Sequence, residues 1–325
     1  MRLVADLLFD LIQDDLQHLE EELLRAVEAP LPVITQMGTQ LVKSGGKRLR
    51  PALFFLAAHC GPDFRREQVM PLALAVEMIH MASLEHDDVI DEAGTRRGKP
   101  TANAVWGNKW AILGGDYLMA QALGLITGRG YGDEIGFKLA QLIKTLVRGE
   151  ILQDEAVFRV CTEEEYFRHI REKTADFMAL CCELGGMASG ADKELQQSLW
   201  NYGHSLGMAF QITDDLLDVL ENSEHIGKPS GNDIRQGIIT LPVLRALETS
   251  AEGDELRGIV TNRAMTEADV ARALEIVRGS DGVEYAKEKV MDYLGEAEAA
   301  LPQNLRAEVR GAFEEAAAFI GQRSF

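Results

Sequence analysis

Three aspartates fall within five residues at Asp87, Asp88 and Asp91, and the same DDxxD spacing returns far downstream at Asp214, Asp215 and Asp218. Like charges held this close repel, and the cost persists unless water or a cation neutralises them. On a helix each residue turns about 100°, so Asp87 and Asp91 share one face, as do Asp214 and Asp218. His80 and Leu84 extend the first face, and Gln211 extends the second. One such cluster in an acidic chain reads most simply as a solvated face. Two copies, one preceded by MASL and the other written ITDDLLDVL, sit in apolar sequence that does not suit that role. If the two helices face each other across a cavity, their carboxylates converge. An oxygen-only donor set without cysteine or clustered histidine favours Mg²⁺, normally held by a few carboxylates together with substrate phosphates. The expected ligand is a phosphate or diphosphate joined to both clusters through metal.

Cations accompany the acids. GGKRLRP, residues 45–51, places Lys47 and Arg50 at a glycine-rich helix entry, with Pro51 suited to the first turn. Amides at such an entry, with a lysine and an arginine, make an anion cradle. Arg96 and Arg97 follow the first acid cluster between Gly94 and Gly98. Lys173 and Thr174 lie in IREKTADF, and Lys228 in GKPSGND. Cations in such separate segments suggest two anionic ligands.

The elements that must position these groups read as helices. Apolar residues recur at three- and four-residue steps in YLMAQALGLI and FKLAQLIKTLV, and no proline occurs between Pro100 and Pro229. Leu7, Leu8, Leu11, Ile12, Leu16, Leu19, Leu23 and Leu24 form a stripe of the same period. No β-alternation or hairpin turn signal stands out. Breaks at APLP, SGG, CGPD, GTRRGKP, GRGYGD, GKPSGND and SAEGDE leave windows of ordinary helix length. The expectation is an all-α chain, one domain over 1–325, with about a dozen helices around a central cavity.

Composition narrows the partners. The 325 residues are 46% hydrophobic and 26% charged, with a formal net charge of -19, which disfavours nucleic acid and anionic lipid. The four cysteines, Cys60, Cys161, Cys181 and Cys182, show no zinc spacing and fit reduced core thiols in a cytoplasmic protein. MRLVADLLFDLIQDD is too acidic for a signal peptide, and no run of about 18 apolar residues suggests a membrane span.

GGKRLRP, EMIHMASLEHDDVIDEAGTRRGKPTAN, GGDYLMAQA, GEILQ, KTADF, GMAFQITDDLLDV and GKPSGNDIRQGIITLP together resemble the trans-prenyl diphosphate synthase family, in the family's order. The look is nearest to its medium- and long-chain members, heptaprenyl or octaprenyl diphosphate synthase. The resemblance implies two or three Mg²⁺ ions, bound by Asp87, Asp91 and Asp214 with Asp88, Asp215 and Asp218 supporting. It assigns Arg96, Lys173 and Lys228 to an allylic diphosphate, farnesyl diphosphate being the expected primer. Lys47, Arg50, His80 and Arg97 are assigned to isopentenyl diphosphate, and Thr174 and Gln211 to the ionising end. It also implies a homodimer, or a heterodimer with a small regulatory subunit. Ala82 and Ser83 are small where short-chain members carry bulky aromatics, so the resemblance implies a product of about seven or eight isoprene units. A farnesyl or geranylgeranyl synthase and a class I terpene cyclase are the alternatives. The cyclase is disfavoured by DDLLD and GGKRLRP. Two positions depart from the pattern. Glu85 replaces an apolar residue and points about 160° from Asp87, towards a helix contact or the surface. Ile238 stands where many members carry lysine.

Overall fold

A computed structural model describes residues 10–220 and 230–322. Leu7, Leu8 and Lys228 lie outside the described residues. Helices dominate: α1 (Gln13–Ala26), α2 (Pro32–Lys43), α3 (Leu49–Ala58), α4 (Arg66–Ile90), α5 (Ala102–Trp106), α6 (Asn108–Ile126), α7 (Asp133–Ala156) and α8 (Glu163–Ile170). A π-helical turn, Arg171–Ala175, leads into α9 (Asp176–Ala188) and α10 (Lys193–Leu220). Then come α11 (Asn232–Gln236), α12 (Leu241–Thr249), α13 (Gly253–Val260), α14 (Glu267–Gly279), α15 (Gly282–Ala300) and α16 (Ala307–Gln322). The all-α expectation therefore holds. No helix of the described residues is long and apolar enough to cross a membrane.

One short ladder departs from it. β1 (Thr95–Arg96) pairs antiparallel with β2 (Lys99–Pro100) inside the GTRRGKP break. Arg97 and Gly98 both take positive φ, 52° and 73°, as a two-residue hairpin turn of the primed kind requires. The usual first residue of such a turn is asparagine or aspartate, so an arginine there gave no hairpin signal.

Two compact units are distinguished. The first comprises the chain up to Ile143 with Leu180–Trp200 and Pro302–Glu315. The second comprises Lys144–Ala179, Asn201–Leu301 and the chain from Ala316. In the first, α4 is the central rod. Nearly every residue from Val69 to Ala82 is buried, because VMPLALAVEMIHMA offers apolar atoms on all sides. Phe54 and Phe55 of α3 are also fully buried and meet edge to face. In the second unit, Leu241 and Val243 of α12 and Ala286 and Val290 of α15 belong to the buried core. Two helix starts there are closed by reciprocal capping boxes: Thr162 with Glu165 before α8, and Thr266 with Asp269 before α14.

Candidate active site

In the first unit the acid cluster ends a helix. Asp91 caps α4, and Glu92 turns the chain in the left-handed region at φ 49°. The amides of Ala93 and Glu92 return to the carbonyls of Asp88 (2.9 Å) and Val89 (3.3 Å), the paired bonds of a Schellman motif without its usual glycine. This closure points the chain into the hairpin that carries Arg96 and Arg97. Asp88 is buried, and one of its oxygens accepts Nε (2.9 Å) and Nη2 (2.8 Å) of Arg96. Asp87 is half-buried and Asp91 exposed.

The hairpin is tied to the loop before α3. Arg97 Nη1 donates to the Gly45 carbonyl, Lys99 Nζ to the Lys43 carbonyl at 2.5 Å, and Gln40 to the Pro100 carbonyl at 2.8 Å. Arg97 is thereby brought to GGKRLRP, where Lys47 and Arg50 are half-buried. Arg50 Nη1 lies 3.2 Å from His80 Nε2. A guanidinium only donates, so Nε2 accepts and His80 is the neutral imidazole with its proton on Nδ1. Burial, and then the fields of Arg50, Arg97, Arg96 and Arg48, hold the His80 pKa well below the usual histidine range. The structure thus brings Arg50 to His80 and ties Arg97 to the loop that precedes Arg50. It pairs Arg96 with Asp88.

Glu85 is a buried helix contact opposite Gly114 and Met37. Neither of its oxygens has a hydrogen-bond partner, and burial, helped by Asp88, pushes its pKa up to about 8. It is a neutral acid at pH 7.

In the second unit the DDLLD cluster lies inside α10. Asp214 is exposed, Asp215 buried and Asp218 half-buried. Asp215 accepts the Tyr166 hydroxyl at 2.7 Å and the Gln211 amide at 2.9 Å. Burial still raises its pKa to about 7, with Asp214 and Asp218 adding to the rise. Gln211 in turn accepts the Thr174 hydroxyl at 2.9 Å, so Thr174, Gln211, Asp215 and Tyr166 form one chain of hydrogen bonds. Asp218 receives the amides of Asn232 and Asp233, both at 3.0 Å, and so pins the start of α11. Ile238 is half-buried just after that helix, and its amide donates to the Asp233 carbonyl at 2.8 Å.

Lys173 and Thr174 project from the π-helical turn, a local widening that recurs at functional sites. A side chain at Gly207 would place Cβ 2.6 Å from the Ala175 Cα, so only glycine lets α10 approach this turn. Lys173 Nζ reaches Glu150 at 2.6 Å and Gln153 at 2.9 Å, and Gln153 also meets His169 at 3.0 Å. Sequence reasoning gave no role to Glu150, Gln153 or Tyr166. The available signals were GEILQ itself, which sets two polar side chains three residues apart, and Tyr166 two turns before Lys173. Among the described residues, no group of three or more His, Cys, Asp or Glu side chains is arranged to hold a metal by itself.

An all-helical chain with aspartate-rich helices, one of them followed by a hairpin that brings Arg97 to the loop that carries Lys47 and precedes Arg50, has the isoprenoid synthase type of fold, as its structural neighbours do. The chain belongs to the polyprenyl synthetase family, whose model matches residues 31–277, and is a prenyltransferase of that family. It is 38% identical over 319 residues to the heptaprenyl diphosphate synthase component 2 of Geobacillus stearothermophilus, covering 98% of each chain. It is also 38% identical to the nonaprenyl diphosphate synthase of Mycobacterium tuberculosis, over 86% of this chain and 83% of that one. Its fold superposes with a TM-score of 0.89 on a polyprenyl synthase from Caulobacter crescentus CB15 complexed with calcium and isoprenyl diphosphate. That protein is 33% identical, with 98% of this chain and 97% of the other covered.

Proposed function

We propose that this chain lengthens an allylic diphosphate by successive additions of isopentenyl diphosphate, in a Mg²⁺-dependent reaction, to an all-trans product of seven or eight isoprene units. The observation that carries the proposal is the grouping of Arg50 and Arg97 with neutral His80, which stands two helical turns, or roughly 10 Å, before Asp87. A pocket that neutralises a diphosphate by side chains alone stands beside a carboxylate pair suited to one carried with metal.

The donor chemistry fits a hard cation. Asp87, Asp91 and Asp214 would supply oxygens, while Asp88, Asp215 and Asp218 are engaged by Arg96, by Tyr166 and Gln211, and by backbone amides respectively. Mg²⁺ bound by so few carboxylates takes the rest of its shell from diphosphate and water. Bound there, it would neutralise the charge that develops on the departing diphosphate. The calcium and isoprenyl diphosphate named for the Caulobacter protein support an oxygen-ligated divalent ion.

In the proposed reaction Lys47, Arg50, His80 and Arg97 hold isopentenyl diphosphate, while Arg96, Lys173 and Lys228 join the allylic diphosphate. The allylic C–O bond breaks, leaving a delocalised cation and diphosphate. Thr174 and Gln211 present their oxygens towards that cation. The double bond of isopentenyl diphosphate then forms the new C–C bond, and the proton it loses passes to the released diphosphate. No nucleophilic side chain takes part. The name of the Geobacillus relative, a component 2, favours a second reading in which a small partner subunit is needed. α6 leaves Trp110, Ile112 and Leu113 exposed, apolar area suited to a second chain.

The test is incubation of the purified chain with farnesyl diphosphate, labelled isopentenyl diphosphate and Mg²⁺, with products resolved by length. One long product, abolished by chelator and by Asp87→Ala, is expected from the chain alone or after addition of a small partner subunit. Folded protein inactive in both settings, or a cyclic hydrocarbon product, overturns the proposal. A farnesyl or geranylgeranyl product overturns only the chain length.

A further inference from the structure

Arg48 stands between Lys47 and the Leu49–Arg50 pair and takes the opposite course from its neighbours. They are half-buried at the loop surface, whereas Arg48 is 5% exposed. Its backbone occupies the left-handed region, φ 48° and ψ 34°, where an L residue's Cβ crowds the following carbonyl oxygen. Such a conformation persists when surrounding bonds over-determine it. They do so here. The guanidinium donates to Glu20 of α1, to Glu77 of α4 at 2.6 Å, and to the Val42 carbonyl at 3.1 Å. Glu77 is 3% exposed and its second oxygen accepts no hydrogen bond; burial raises its pKa, and the ion pair with Arg48 and the field of Arg50 oppose that rise and favour the carboxylate. One turn further along α4 stands His80, which meets Arg50.

We infer that Glu77 and Arg48 are a buried positioning pair that sets the spacing between Lys47 on the loop, Arg50 in the first turn of α3 and His80 on α4. They thereby govern affinity for the non-allylic diphosphate and leave the allylic one untouched. This rests on the function proposed above. Neither residue touches substrate. Glu77 fixes the strained residue from which the cradle is hung, and it counters repulsion among Arg48, Arg50 and Arg97 from behind.

The sign of the effect separates positioning from plain electrostatics. Removing an anion behind a cationic cradle strengthens diphosphate binding by Coulomb attraction alone. Loosening the cradle weakens it. Glu77→Gln is therefore expected to raise KM for isopentenyl diphosphate about 10- to 100-fold. KM for the allylic substrate and kcat at saturation should stay within about threefold. Arg48→Lys, which keeps the charge and loses the planar fork, should behave alike. The double variant should be no worse than the worse single one, because both changes remove the same contact. Glu20→Gln leaves the Glu77 bond intact and should give a smaller rise in the same direction. It stands as the folded control if Glu77→Gln does not fold. An unchanged or lower KM for isopentenyl diphosphate in the folded variants, or an equal rise for both substrates, overturns the inference. Calorimetric binding of isopentenyl diphosphate to wild-type protein keeps the two claims apart. Wild type that neither binds nor turns over defeats the proposed function, whereas equal binding by wild type and variants defeats only the positioning pair.

Discussion

The two DDxxD clusters have one spacing and two electrostatic designs. In the first, the middle residue Asp88 meets a cation, Arg96, at 2.8 Å. In the second, among the described residues the middle residue Asp215 meets neutral donors, Tyr166 and Gln211, and its pKa climbs to about 7. The last residues differ as well. Asp91 ends its helix exposed, while Asp218 points back to two backbone amides and holds a neighbouring helix in place. A repeated motif therefore does not imply a repeated environment. The first cluster is anchored by charge pairing, the second by a chain of hydrogen bonds running from the π-helical turn through Thr174 and Gln211.

The largest expected test of that contrast is a pair of isosteric changes. Asp88→Asn takes the anion from the Arg96 guanidinium and leaves it a neutral amide oxygen, at a cost of about 2–3 kcal/mol. Asp215→Asn keeps an oxygen for one donor, and the Tyr166 hydroxyl can rotate to accept from the new amide, so it costs about 1 kcal/mol. Chemical denaturation of the two variants measures the difference, and equal losses would break the comparison.

Tyr166→Phe is the next step down. It removes one of the two side-chain donors to Asp215 while leaving Arg96 and Asp88 alone, and should destabilise by about 1–2 kcal/mol. Its rate should fall more than that of Lys138→Met, which removes a cation held by Glu183 in the first unit. Parallel turnover and unfolding measurements decide this.

The smallest effect is one of pH. Burial, then Lys173, lowers the His169 pKa to about 4, so its folded-state pKa lies below the unfolded value of about 6.5. Between those values the unfolded chain binds the proton and the folded chain does not. Stability is therefore lost as pH falls from 6.5 towards 4 and is fully present above 6.5. His169→Gln should flatten this part of the denaturation profile. An unaltered slope would remove His169 from the account of the second unit.

Some of this was legible in the chain. The DDxxD spacing, its helical face and the glycine-rich basic entry are local patterns, and a helix preserves local periodicity whatever packs against it. Glu85 could likewise be turned away from Asp87 by counting residues, and it lies in a helix contact opposite Gly114. Arg48, Glu77, Glu150 and Tyr166 escaped notice because their meaning is a partner. Arg48 meets a carboxylate 29 positions away and Tyr166 one 49 positions away, and no short-range pattern encodes such pairs. The hairpin at Arg97 was hidden for a different reason. An arginine in the left-handed region contradicts local preference and is held there by bonds to another loop.

The helical class, the family and the residue types suited to diphosphate and metal follow from the order of residues alone, since periodicity, charge and motif order survive in one dimension. The state of each group depends on packing in three dimensions. Burial and neighbours far along the chain make His80 neutral, give Asp88 a cation and Asp215 a phenol, and hold Arg48 in a backbone conformation that it would not adopt alone.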